Sequence, residues 1–371
     1  LRILFVLEYY YPHLGGAETL FQQLCEGLVN RGHEVSVVTS KLWNSSGSVV
    51  LNGVQVYRVP TPELGKRYWF TFNAIPYSAW YARKADVIST TTYNGALPAW
   101  IASKMYKKPC LITVHEVLGE SWADFQGMNI LIARLHQLLE WAIIKLNFDK
   151  YVGVSSFTKE AIEAYGKNAI AIHNGIDYGL FNPERYNGNR VRYEHKLDNC
   201  FVYMYYGRPG LTKGVEDLIK ASVSIARSIP KSRLMLLLGK EPKAGYESVL
   251  NLIHSIGIDN HIVIIDPVPR AELPEYIAAS DCVVIPSLSE GFGFSAAEAC
   301  AMNKPVVVSN VASLPEVVSG DYVFCKPNNP DSIVQAVSRV YYKTMGKAEP
   351  RRFTWDDCVD KYETLYKEMV R

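Results

Sequence analysis

Ile3-Leu4-Phe5-Val6-Leu7 is an uninterrupted apolar run, and the residues after it decide the fold. A loop of Tyr, Pro and Gly leads through His13-Leu14-Gly15-Gly16-Ala17-Glu18 into residues 17–29, where Leu20, Leu24 and Leu28 recur at helical spacing. Arg31-Gly32-His33 closes that helix, and residues 34–39 read as the next strand. Short strands without polar alternation have both faces covered. A parallel sheet flanked by helices provides that cover, so the segment is a β-α-β unit.

The alternation continues. Further strands are expected at 54–59, 87–89, 111–114, 151–154 and 169–172, with helices at 94–106, 130–147 and 156–165. It breaks at 174–189, where Asn174-Gly175, Asn182-Pro183 and Asn187-Gly188-Asn189 are turn signals. A second series follows, with strands at 200–206, 233–238, 262–265, 282–285, 306–309 and 323–325. Its helices are expected at 214–228, 246–256, 273–279, 295–302, 314–318 and 331–341. After a polar break at 349–352, residues 354–371 put Trp355, Val359, Tyr362, Leu365 and Met369 on one helical face, which must dock on something apolar. The expected domains are therefore 1–175, a linker at 176–190, 191–345, and a terminal segment at 346–371. The fold class is α/β, with two doubly wound Rossmann-like domains.

Composition agrees and excludes other classes. The 371 residues suit two domains, and 48% hydrophobic with 20% charged residues excludes intrinsic disorder. Cations balance acids at 17 to 15 over residues 1–185 and 22 to 22 over the rest, so neither half offers nucleic acid a basic block. Seven scattered cysteines without a C-x-x-C read as reduced and buried, as in a cytoplasmic protein. No run of about 18 uncharged apolar residues exists, so no membrane-spanning helix is expected. The chain opens on a strand, so no signal peptide is expected either.

In a sheet of this kind, ligands sit at the carboxyl ends of strands. The strongest motif there is Glu290-Gly291-Phe292-Gly293-Phe294-Ser295-Ala296-Ala297-Glu298, after the strand Val283-Val284-Ile285-Pro286. Gly291 and Gly293 admit a close ligand, the helix start offers N–H groups, and two carboxylates frame the site. A carboxylate accepts from two adjacent hydroxyls, as in sugars and riboses. The second motif, Gly207-Arg208-Pro209-Gly210-Leu211-Thr212-Lys213-Gly214, places two cations five residues apart on a glycine-rich loop, a grip for a diphosphate. Gly15-Gly16 before the first helix suits phosphate or sugar oxygen, and His115 ends the strand Thr113-Val114. Each of these two weaker signals also reads as ordinary turn or packing.

Gly291-x-Gly293-x-x-Ala296 also matches a loose dinucleotide fingerprint. It lies late in the chain, the following strand ends in Asn310 rather than an acid, and Glu290 would repel a pyrophosphate. A Rossmann-type oxidoreductase stays as an alternative, beside a silent sugar-binding protein and a phosphorylase.

Together these motifs resemble the family-4 retaining glycosyltransferases of GT-B fold, over nearly the whole chain and in the expected order. The resemblance implies two domains facing across a cleft, with the terminal helix crossing back to the first. It implies that Arg208 and Lys213 neutralise the leaving diphosphate and that Glu298 holds the nucleotide ribose. Glu290 with the backbone of Gly291, Phe292 and Gly293 would hold the donor sugar. His115 would lie near the reacting sugar, and Gly15-Gly16 near phosphate and acceptor. The implied reaction is front-face hexosyl transfer with retention from a GDP- or UDP-linked donor. Overall likeness to lipid-directed mannosyltransferases favours GDP-mannose. No Asp-x-Asp occurs, so no metal and no separate cofactor is expected. Members often carry Gly-x-Gly after the strand at 234–238, where this chain has Gly239-Lys240-Glu241-Pro242.

The acceptor side carries Lys66-Arg67-Tyr68-Trp69-Phe70-Thr71-Phe72 and Trp80-Tyr81-Ala82-Arg83-Lys84, cations among aromatics. That suits a lipid-linked or amphiphilic glycan acceptor and peripheral contact with the inner membrane face. A soluble small-molecule acceptor is the alternative. Arg134, Glu140 and Lys145 keep the apolar stretch 130–148 from spanning a bilayer, and it reads as ordinary packing in a Tyr-rich protein rather than as membrane contact.

Overall fold

The computed structural model describes residues 1–13, 15–42, 45–62, 66–123, 129–210 and 212–371, with the side chains of Lys66 and Arg67 outside that description. The chain forms two compact units. Leu1–Gly175 with Phe353–Arg371 make one, and Ile176–Arg352 the other.

The first unit runs β1 (Arg2–Val6), α1 (Gly16–Asn30), β2 (Glu34–Ser40), β3 (Ser48–Leu51), β4 (Val54–Val59), α2 (Lys66–Ala82), β5 (Val87–Thr91), α3 (Ala96–Tyr106), β6 (Cys110–Val114), α4 (Ile130–Lys145), β7 (Lys150–Gly153), α5 (Ser156–Glu163) and β8 (Ala169–Ala171). Its sheet has the order β3-β4-β2-β1-β5-β6-β7-β8, parallel except for the β3–β4 hairpin. That hairpin was not foreseen. It turns at Asn52-Gly53, where both φ values are positive (50° and 84°), as the two-residue turn matching strand twist requires. Helix α2 was not foreseen either, because Pro76 interrupts its pattern. Burial of Phe70, Ala74 and Ala82 in the core beside β1 and β5 outweighs the missing N–H.

The second unit runs α6 (Asn189–Glu194), β9 (Phe201–Gly207), α7 (Val215–Ser228), β10 (Ser232–Leu238), α8 (Lys243–Ser255), β11 (Ile262–Ile265), α9 (Leu273–Ala279), β12 (Cys282–Ile285), α10 (Phe294–Ala301), β13 (Val306–Ser309), α11 (Leu314–Val317), β14 (Gly320–Cys325), α12 (Pro330–Tyr341) and β15 (Gly346–Ala348). Its sheet order is β11-β10-β9-β12-β13-β14-β15, parallel but for the last edge strand. Residues 176–190 count with this unit. Gly188 lies so close to α9 that a Cβ there would stand 2.3 Å from the Ala279 nitrogen.

Helix α13 (Trp355–Val370) completes the first unit. Thr354 caps it, its Oγ1 accepting from the Asp357 N–H at 3.1 Å. Tyr362 and Tyr366 are buried under the sheet, with hydroxyls 3.0 Å from Thr113 Oγ1 on β6 and 2.9 Å from Ser89 Oγ on β5. Outside, Glu363 meets Arg31 Nη1 at 3.1 Å, His33 Nε2 at 2.9 Å and Lys367 Nζ at 2.5 Å. Lys367 and His33, with Arg31, hold the Glu363 carboxyl at about 2, below its ordinary 4.5. A depressed carboxyl stabilises the fold above its unfolded pKa and loses that contribution as pH falls through the folded value. Urea denaturation of Glu363→Gln against wild type is therefore expected to show a stability gap that is constant from neutral pH to about 5. The gap should close as pH falls towards about 2. A gap independent of pH would disprove the ionic clamp.

Candidate active site

In the second sheet the strand order reverses at β9, which lies between β10 and β12. Loops leaving β9 and β12 part to opposite faces there and open a crevice at the carboxyl ends. Both glycine motifs fall on it. The Thr212 carbonyl accepts from the N–H groups of Leu288 at 2.7 Å and Ser289 at 3.4 Å, tying the two loops. Gly214 adopts φ +63°, and a Cβ on it would stand 2.0 Å from the Pro286 carbonyl oxygen. Only glycine satisfies both demands.

On this seat Lys213 Nζ stands 2.8 Å from Glu290 Oε1. Ser287 Oγ donates to the same oxygen at 2.9 Å, and Ser313 Oγ fixes the Glu290 main-chain oxygen at 2.9 Å. Glu290 Oε2 takes none of these bonds. The pair lines a small cavity with Tyr205, Gly207 and Ser295. Arg208 is exposed, and its guanidinium has no ion pair among the described residues. Its side chain lies on Gly239, where a Cβ would stand 2.8 Å from Arg208 Cγ.

Glu298 lies in α10, 2% exposed. Burial raises its pKa, and the Arg270 charge opposes that. Arg270 Nη2 donates to Oε1 at 2.6 Å. The Tyr206 hydroxyl lies 3.2 Å from Oε2 but 2.8 Å from the Ser295 carbonyl. A phenol has one proton, so Oε2 shares a donor and can take another. Tyr206 and Ser295 also line the cavity beside Glu290 and so link the surroundings of both carboxylates.

In the first unit the order reverses between β1 and β5. Gly15 and Gly16 start α1 just beyond β1, and the Thr19 N–H bonds the Gly15 carbonyl at 2.9 Å. A Cβ on Gly95 would stand 2.6 Å from the Val6 carbonyl, so the turn after β5 closes tightly on β1. His115 follows β6, one strand further. Its ring meets Phe21 edge-on at 5.7 Å, and its buried Nε2 has no partner among the described residues. Burial pushes its pKa down to about 4, against a smaller opposite pull from Glu18. The ring is therefore neutral near pH 7.

Lys213 and Glu290 are thus in direct contact, with Arg208 on the same loop, while Glu298 is reached through Tyr206. Gly15, Gly16 and His115 belong to the first unit. Arg270, Tyr206, Ser287 and Ser313 were missed. Arg270 follows β11 and Tyr206 nearly ends β9, so the carboxyl-end rule marks both. Among the described residues no three His, Cys, Asp or Glu side chains gather as metal ligands.

Two family models match the chain. "Glycosyltransferase Family 4" covers residues 14–179 and "Glycosyl transferases group 1" covers 190–352. A D-inositol 3-phosphate glycosyltransferase of Xylanimonas cellulosilytica is 23% identical, covering 96% of this chain and 92% of its own. A phosphatidylinositol N-acetylglucosaminyltransferase component of Arabidopsis thaliana is 22% identical, covering 100% and 83%. Among solved structures, Anabaena HepE in complex with UDP-glucose superposes with a TM-score of 0.78 at 20% identity, covering 99% of each chain.

Gly214→Ala should destabilise by about 1–3 kcal/mol through crowding on Pro286. Gly257→Ala is the control, because Gly257 also has positive φ (+65°) but nothing within 4 Å of a Cβ. Urea denaturation should find Gly214→Ala the more costly of the two; equal losses would show that the loops are not seated on this contact.

Proposed function

The chain belongs to the family-4 glycosyltransferases of GT-B fold, and from that premise we propose that it moves a hexose, with retention and without a metal, from a nucleoside-diphosphate sugar to a lipid-linked or amphiphilic acceptor. The observation that carries the reading is the Lys213–Glu290 contact of 2.8 Å at the crevice, which holds a cation for phosphate beside a carboxylate for sugar hydroxyls. A carboxylate has about four acceptor sites on its two oxygens, more than Lys213 and Ser287 occupy.

The chemistry follows. The sugar–phosphate bond breaks through an oxocarbenium-like state while negative charge grows on the diphosphate. Arg208 and Lys213 stabilise that charge as preorganised cations. Glu290, with the backbone of Gly291, Phe292 and Gly293, holds the sugar hydroxyls, and Glu298 holds the ribose. The acceptor oxygen bonds the anomeric carbon on the face the phosphate leaves, and its proton passes to the departing phosphate oxygen. His115, neutral, bonds a sugar hydroxyl through Nε2, and Gly15-Gly16 serves phosphate and acceptor.

Likeness to lipid-directed mannosyltransferases supports GDP-mannose as donor. The UDP-glucose complex of the Anabaena neighbour supports UDP-glucose as the second reading. The phosphatidylinositol named for the Arabidopsis relative supports an anionic, amphiphilic acceptor, whereas the D-inositol 3-phosphate named for the other supports a soluble small-molecule acceptor as the alternative.

A thermal-shift panel of nucleoside diphosphates and their sugars identifies the donor. Saturation at about 100 times the dissociation constant should add about 2.7 kcal/mol. Glu298→Gln should weaken nucleotide binding by about 1.5–3 kcal/mol, whereas Glu290→Gln should lower kcat more than donor affinity. Arg208→Ala and Lys213→Ala should each raise the barrier by at least about 2.7 kcal/mol. Activity should survive EDTA, and the product should keep the donor's anomeric configuration by NMR. Loss on chelation with rescue by magnesium, or an inverted product, would overturn the mechanism.

A further inference from the structure

Helix α4 turns its one acid inward. Its buried positions are Ala133, Glu140 and Ile144, and Glu140 is 2% exposed. Oε1 of Glu140 accepts from the Gly119 N–H at 2.8 Å and the Tyr165 hydroxyl at 3.4 Å. Oε2 accepts from the Leu118 N–H at 3.0 Å, Trp122 Nε1 at 3.3 Å and the Tyr93 hydroxyl at 3.3 Å. All five partners donate, which suits a carboxylate, an acceptor with no proton to give. Burial, then the charge of Glu140 and less that of Glu120, raises the Tyr165 pKa, so this hydroxyl keeps its proton.

The donors come from separate stretches of chain. Tyr93 stands just after β5, Leu118, Gly119 and Trp122 belong to the loop that leaves β6, and Tyr165 follows α5. The β6 loop therefore has two anchors. At its root the Thr158 hydroxyl donates to the His115 carbonyl at 3.4 Å, and the His115 ring meets Phe21. Three and four residues on, the Glu140 carboxylate takes two successive main-chain N–H groups. Bonds of this kind to a charged acceptor are short and strong, and two in a row fix the course of the backbone. An apolar residue at 140 would serve packing equally well but would leave both N–H groups without an acceptor. His115 lies between the end of β6 and this clamp, and its Nε2 is buried.

We propose that Glu140 is a positioning residue for His115, holding the loop after β6 in the course that keeps the imidazole at the carboxyl end of the first sheet and closed to water. Glu140 acts through the loop, because protein donors take up both of its oxygens. Its effect on turnover rests on the reading in which His115 bonds a sugar hydroxyl; the clamp itself does not.

The test is Glu140→Gln in the full chain, with urea denaturation to show that it folds. Its amide NH2 must face one of the two main-chain N–H groups, so at least one of them loses its acceptor. Hydrogen exchange at Leu118 and Gly119 should quicken at least about tenfold. The His115 ring, assigned by NMR from the signal lost in His115→Gln, is the second readout. Burial holds it at about 4 in the wild type. The wild-type ring should therefore stay neutral from about pH 8 to 5.5, whereas in Glu140→Gln water reaches it and it should take up a proton in that window. Tyr93→Phe with Trp122→Phe removes two donors and keeps the carboxylate. It should shift the ring the same way by less, and it carries the test if Glu140→Gln does not fold. With UDP-glucose and GDP-mannose as donor probes, kcat for donor hydrolysis should fall at least about tenfold while the donor KM stays within about twofold. Unchanged exchange, or a ring that stays neutral in a variant that is merely less stable, would overturn the proposal. Exchange and ring titration need no donor, so hydrolysis of neither probe by the wild type would sink the transfer reading alone.

Discussion

A parallel sheet whose strand order reverses cannot close over its own carboxyl edge. The loops from the two strands flanking the reversal must part towards opposite layers, and the gap between them is the natural place for a ligand. This constraint acts twice here, at β9–β12 and at β1–β5. It puts the cationic loop and the acidic motif, about 75 residues apart in sequence, in hydrogen-bond contact. Everything chemical in the second unit depends on that reversal and on the absence of a side chain at Gly214, which lets the loops meet.

Charge inside the crevice is arranged in opposed pairs. Glu290 faces Lys213 and Glu298 faces Arg270, so neither carboxylate stands uncompensated. In a largely buried setting an unpaired carboxylate would take up a proton and stop accepting from donors. At Glu298 burial raises the pKa, and the Arg270 charge opposes that and favours the accepting carboxylate. Arg270 acts on Glu298 in this way, as a positioning residue.

Much of this was legible in the sequence because parallel strands are short apolar runs and their loops carry glycine. The Glu290–Glu298 motif and the Arg208–Lys213 loop could be picked out as neighbours at one crevice, since each carries glycine and charge together in one segment after a strand. Arg270 and Tyr206 stand at the carboxyl ends of β11 and β9, but their bonds to Glu298 were not legible, because only the fold joins these segments. Helix α2 was hidden by Pro76, and the β3–β4 hairpin by its lack of strong alternation, although Asn52-Gly53 was a usable signal. Helix α4, read as ordinary packing, instead buries Ala133, Glu140 and Ile144 and leaves Leu131, Leu135 and Leu138 exposed, and this was hidden for a different reason. Hydrophobic periodicity reports a stripe but not which way it faces, and here the single buried acid decides.

Helix α13 has a consequence for synthesis. The chain builds the first sheet, then all of Ile176–Arg352, and only then the helix whose tyrosines bond Ser89 and Thr113 beneath β5 and β6. At about 5–20 residues per second, the underside of the first sheet waits roughly 10–35 s for its cover. During that interval the nascent first unit exposes apolar surface that its own later residues will bury. Completion of the first unit therefore waits until all of Ile176–Arg352 has been made.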